Sequence, residues 1–241
     1  MAPDLRPNRA RLIAFRSTLC LVGALGLAGT TAESLASPGP ADFWIYFTVQ
    51  SNLLLTVFFA ALVMRTVRGA GPEGAFLAAI KGAVTLYIVI TGTVFNLLLA
   101  NPVSPFYQQQ KESHYTWHSV LLHVVTPLMA LLDWRFFGPR GALHRRHAAL
   151  WLAYPLAYLV FALVRGAVVT TGTRYPYPFL DVAASGYGQV SVNCVFLAGA
   201  FYLLGLGLVT LDRRYGPPAA STVAAGARPE PEEAPAAGAS V

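Results

Sequence analysis

Six apolar stretches of about twenty residues each, separated by short polar connections, leave this chain few ways to fold. They cover residues 12–31, 43–64, 79–100, 117–137, 148–171 and 189–211. A hydrocarbon core of about 30 Å is crossed by about 20 helical residues. The stretches are too long for strands, and an open sheet cannot enter lipid because its edge backbone groups would go unpaired. The expected fold is all-α: a polytopic membrane protein built as a six-transmembrane-helix bundle. Composition agrees, since 55% of residues are hydrophobic and 12% charged, about half the charge that a water-facing surface carries. The division expected is 1–11 as a cytoplasmic N-terminus, 12–212 as the six-span domain and 213–241 as a disordered cytoplasmic tail. That tail is rich in Pro, Ala, Gly and Glu and has no apolar periodicity.

The net charge of +6 does not mark a nucleic-acid binder, because the basic residues form no patch. They read instead as flanks meeting lipid headgroups. Arg6, Arg9, Arg11, Arg16, Arg65, Arg68, Lys81, Arg135, Arg140, Arg145, Arg146, Arg213, Arg214 and Arg228 fall on one side of the alternating chain. The opposite connections hold Lys111 and Arg174, with Arg165 inside the fifth stretch. The positive-inside rule then puts both termini in the cytoplasm, N-in/C-in. The preference for arginine over lysine suits a GC-rich bacterial genome, hence a bacterial inner membrane. One alternative stays open: the first stretch also reads as a signal-peptide core cleaved near Ala32 or Ala36. Cys20 and Cys194 lie inside apolar stretches, and neither a disulfide framework nor a metal site is expected from them. His144 and His147 read as surface residues of a basic loop, and no cofactor is expected.

Depth can be compared between stretches at about 1.5 Å per residue. Counted this way, Thr48 and Asn52 in the second, Asn96 in the third and His123 in the fourth reach the same outer slab. Arg165 in the fifth and Asn193 in the sixth reach it too. Polar side chains in a bilayer face the bundle interior or a wet cavity, and Thr48 and Asn52 share a helix face by their i, i+4 spacing. Pro127, four residues after His123, is expected to loosen that helix and free a carbonyl. Each group also has a plainer role: a hydroxyl bonded to its own helix, amides gluing helices together, an arginine snorkelling to the interface. Taken together they suggest chemistry. Thr48 is the candidate nucleophile and His123 the base that takes its proton. Asn52, Asn96 and Asn193 are candidate oxyanion donors, and Arg165 a candidate clamp for a substrate carboxylate. The implied reaction is acyl transfer to Thr48 followed by hydrolysis, with no carboxylate in the slab to orient the imidazole.

Tyr46-Phe47-Thr48-Val49-Gln50-Ser51-Asn52 resembles the segment that carries the nucleophilic threonine of the androgen-induced and androgen-dependent membrane hydrolases. Trp117-His118 through His123, with Thr126-Pro127 and Asp133-Trp134, resembles the segment holding their catalytic histidine. The resemblance implies a six-span bundle whose intramembrane Thr/His dyad hydrolyses fatty-acid esters of hydroxy fatty acids. Thr48 would be the nucleophile and His123 the base, in an uncharacterised bacterial branch. The histidine-to-proline spacing here is tighter than in the animal members. Partners expected on this reading are membrane lipids and a lipid-like ester substrate. Two other classes compete: a transporter or binding protein holding an anionic amphiphile on Arg165, and a non-catalytic membrane protein.

Overall fold

The computed structural model describes residues 9–37, 42–108 and 115–216. Six helices are long and apolar enough to cross a membrane: α1 (Arg9–Ala36), α2 (Phe47–Val67), α3 (Ala75–Leu99), α4 (Trp117–Phe137), α5 (Arg145–Val168) and α6 (Val182–Arg214). No strand occurs among the described residues. The chain is an all-α, integral-membrane bundle. Several helices run past their apolar stretches because their polar ends are capped. At α5, His144 and His147 form a reciprocal capping pair, with the His144 N–H donating to His147 Nδ1 at 3.1 Å. At α6, Asp181 accepts from the Ala184 N–H at 3.1 Å. Gly186 then breaks the helix with φ +73°, a left-handed conformation that suits glycine. The tail expected to be disordered lies, from residue 217 on, outside the described residues.

The centre of the bundle is α3. In its most apolar stretch 61% of residues are buried, against 17–33% in the other five. One apolar core joins it to α1, α2 and α4 through Leu19, Leu55, Phe59, Val84, Ile88 and Ala130. A second core joins it to α5 and α6 through Leu86, Ile90, Ala162 and Leu208, closed by Phe179 and Leu180 from the α5–α6 connection. Lipid tails are as apolar as leucine, so helices in a bilayer associate through close packing rather than water exclusion. Gly26 and Gly29 of α1 make that contact possible. A Cβ on Gly26 would lie 2.5 Å from Leu122 Cδ2, and one on Gly29 would lie 2.7 Å from His118 Cβ.

Two residues expected to face headgroups are placed otherwise. Arg16 and Lys81 are each 1% exposed. With Asp133 of α4 and Glu73 of the α2–α3 connection they close a ring of ion pairs. Arg16 Nε lies 2.7 Å from Asp133 Oδ1 and Lys81 Nζ 2.9 Å from Asp133 Oδ2. Lys81 Nζ lies 2.6 Å from Glu73 Oε2, and an Arg16 Nη 2.5 Å from Glu73 Oε1. Counting basic residues by side registers which end they occupy but not whether an anion waits there. Through the ring α1 brings Arg16 to a buried carboxylate of α4, and its Gly26 and Gly29 pack on the same helix.

Candidate active site

Thr48 is the second residue of α2. Tyr46, extended at φ −77° and ψ 136°, caps the helix, and its carbonyl accepts from the N–H groups of Val49 and Gln50 at 3.0 and 3.2 Å. The Thr48 hydroxyl lies 3.2 Å from His123 Nε2. On the far side of the ring, His123 Nδ1 is 2.9 Å from the Ser119 carbonyl oxygen and 3.2 Å from Ser119 Oγ. A carbonyl can only accept, so Nδ1 carries the hydrogen and Nε2 presents its lone pair to the threonine. Phe95 stacks on the imidazole at 3.8 Å and 17°. A backbone carbonyl therefore does the orienting that a carboxylate does in a triad.

The presentation of His123 depends on a widened turn. Across Leu121–Val125 the helix loosens to π geometry, and the Thr126 N–H reaches back five residues to the Leu121 carbonyl. Pro127 has no N–H to offer His123. The carbonyls of Leu122 and His123 are thus left for side chains. The Asn52 amide donates to the Leu122 carbonyl at 3.3 Å and to the Thr48 carbonyl at 2.9 Å, and its oxygen accepts from the Thr126 hydroxyl at 2.8 Å. The Asn96 amide donates to the His123 carbonyl at 3.1 Å and to the Gly92 carbonyl at 2.7 Å, and accepts from the Tyr115 hydroxyl at 2.9 Å. Gly92 lets α3 approach: a Cβ there would sit 2.8 Å from the His123 carbonyl oxygen.

Four of the expected residues therefore meet: Thr48, His123, Asn52 and Asn96. Both N–H groups of each asparagine amide are spent on backbone carbonyls, so these residues hold the dyad in place and leave no donor for an oxyanion. Arg165 and Asn193 lie at the same end but line neither of the hollows at the dyad. Arg165 donates to Asp42 Oδ1 and to the Thr173 carbonyl, both at 3.1 Å. Asn193 donates to the Phe179 carbonyl at 3.1 Å and accepts from Gln189 at 3.0 Å. Their contacts fasten the α5–α6 connection.

That connection supplies a residue the depth comparison could not reach. The Thr48 N–H donates to the Tyr177 hydroxyl at 3.4 Å. Tyr177 is 7% exposed, and burial pushes its phenol up to about 12, so it stays protonated and able to donate. It sits in Tyr175-Pro176-Tyr177-Pro178-Phe179, whose alternating prolines and aromatics are the one signal in the sequence of a rigid, packed loop.

Two hollows meet at Thr48. One is an apolar groove of ≈ 740 Å³, its open mouth included, walled by Ile90, Val94, Leu156, Leu197 and Phe201. The other, ≈ 1650 Å³ with its mouth, is a polar vestibule reached by His123, His118, Glu33 and Asp42. Thr48, Phe95, Leu99 and Tyr177 line both.

No protein family, no curated protein and no solved structure matches this chain.

Proposed function

We propose that this protein is an integral-membrane hydrolase of lipid-like acyl esters that uses Thr48 as nucleophile and His123 as general base. The observation that carries this reading is the 3.2 Å contact between Thr48 Oγ1 and an imidazole nitrogen whose partner nitrogen is tied to the Ser119 carbonyl, at the junction of an apolar and a polar hollow. The short stretches around Thr48 and His123 that resemble the androgen-induced and androgen-dependent membrane hydrolases support it too. Under the N-in/C-in arrangement the site opens toward the outer leaflet.

The steps balance without a cofactor. Thr48 Oγ1 attacks the ester carbonyl carbon while its proton passes to His123 Nε2. The tetrahedral oxyanion is met by the Tyr177 hydroxyl, which the Thr48 N–H holds beside the first turn of α2, where the helix dipole favours negative charge. The bond between carbonyl carbon and alcohol oxygen breaks, and His123 Nε2–H protonates the departing alkoxide. Water then adds to the acyl-threonine with its proton going to Nε2. That proton returns to Thr48 Oγ1 as the carboxylic acid leaves. The alternative reading, a transporter or binding protein, would hold an anionic amphiphile on Arg165, which here donates to Asp42.

Purified protein in nanodiscs should hydrolyse long-chain acyl esters and be labelled by a fluorophosphonate probe. Thr48→Ala should abolish labelling, and Thr48→Ala and His123→Ala should each lower the rate by at least about 10²-fold. Hydrolysis at wild-type rates by both variants would sink the assignment.

A further inference from the structure

The two hollows differ in which of them His123 can serve, and that difference fixes where the alcohol goes. His123 lines the vestibule and not the apolar groove, whereas Thr48 lines both. The group that protonates the departing oxygen must stand beside it. If the dyad works as proposed, the alcohol half of the ester lies in the vestibule and the acyl chain in the groove.

The vestibule wall then describes the alcohol. Thr30, Ser34, Ser37, Gln108 and Thr116 present hydroxyls and an amide, and its carboxylates are Glu33 and Asp42. Glu33 is exposed, with one oxygen 2.8 Å from His118 Nε2, so its remaining lone pairs face the hollow as acceptors. The arginines described at this end are turned elsewhere. Arg165 is held by Asp42 and the Thr173 carbonyl, and Arg174 donates to the Gly166 carbonyl at 3.1 and 2.7 Å. An alcohol bearing its own carboxylate would bring a second negative charge beside Glu33, and Arg165 is already paired with Asp42. An alcohol bearing several hydroxyls would find donors and acceptors on every side.

We infer that the leaving group is an uncharged polyhydroxy alcohol of the glycerol or sugar type, and that Glu33 selects against alcohols carrying a carboxylate. The inference rests on the proposed Thr48/His123 hydrolysis and departs from the resemblance in the alcohol alone, since a hydroxy fatty acid leaves with a carboxylate of its own.

The test compares two esters of one fatty acid in nanodiscs of neutral lipid, a glycerol monoester and an ester of a hydroxy acid with a free carboxylate. The wild type should show a kcat/KM at least about fivefold higher for the glycerol ester. Glu33→Lys should shift that ratio about fivefold or more toward the anionic ester. Equal or reversed preference in the wild type, or an unmoved ratio in Glu33→Lys, overturns the inference. Thr48→Ala separates the two levels. If both esters are cleaved in a Thr48-dependent way without the expected preference, the hydrolase stands and only the alcohol class falls. If cleavage survives Thr48→Ala, the hydrolase reading itself falls.

Discussion

A threonine hydroxyl becomes a nucleophile only when a neighbour takes its proton and another group steadies the charge that develops on the substrate. The asparagines at the dyad cannot fill the second role, because their hydrogens are spent on the Thr48, Leu122, Gly92 and His123 carbonyls. Tyr177 is then the donor to remove. Tyr177→Phe keeps the ring that stacks on Phe179 at 5.1 Å and deletes only the hydroxyl. It should lower kcat by about 10²–10³-fold with KM little changed; an unchanged kcat would exclude Tyr177 from the chemistry. The same phenol gives a pH signature. Its folded value, about 12, lies above the value of about 10 for a free tyrosine. The stability it contributes is therefore fully present below pH of about 10 and lost as pH rises through about 12. Thermal unfolding of the wild type should fall in that window, and Tyr177→Phe should remove part of the fall. The alternating prolines and aromatics around Tyr177 mark a packed loop but not this role, because a residue in a connection has no helical depth to compare.

At the scale of elements, depth counting at one residue per 1.5 Å was enough to bring Thr48 and His123 to the same level, because both helices enter from the same end. It also placed Asn52 and Asn96 beside them. It could not give their roles, which depend on the π turn at Leu121–Val125: one extra residue in a turn rotates the helix before it by about 100° relative to the helix after it. Pro127 signalled a freed carbonyl, and the Asn96 amide is what meets it. Restoring the missing N–H tests whether the widened turn matters. In Pro127→Ala the new N–H can take the His123 carbonyl from Asn96 and close the helix to ordinary geometry. That change should leave stability unchanged or raise it by up to about 3 kcal/mol, while the rate falls at least about tenfold as the imidazole turns from Thr48. Asn96→Leu should act through the same bond in the opposite sense. It strands the His123 carbonyl and costs about 1–3 kcal/mol of stability. Thermal melts and hydrolysis rates of the two variants, taken together, separate a positioning role from a merely structural one.

At the scale of the whole molecule the bundle is fastened at both ends by different means. At the end carrying the dyad, amides and hydroxyls of α2, α3 and α4 bind carbonyls that the π turn releases. At the other end α1, α3 and α4 are tied by the ring of Arg16, Glu73, Lys81 and Asp133. Six spans were legible from apolar length alone, but this ring was not. Arg16 and Lys81 looked like headgroup contacts, since a charge near the end of an apolar stretch carries no mark of its partner until the helices are assembled. A buried ion pair is costly to break rather than profitable to have, because removing one member leaves the other desolvated and alone. Asp133→Ala should therefore cost about 3–5 kcal/mol, as Arg16 and Lys81 are left with Glu73 between them. Replacing Arg16 and Asp133 together by leucine leaves Lys81 opposite Glu73 and balances the charge. The double variant should accordingly recover most of the lost stability, with a coupling well above the ~0.5 kcal/mol expected of independent sites. Thermal unfolding in detergent measures both. The hydrolysis rate per folded molecule should stay within about twofold of wild type in each, because the ring lies at the end of the bundle away from Thr48 and His123. A double variant no more stable than Asp133→Ala would show that the four charges do not act as a unit and that packing along α1 alone holds this end closed.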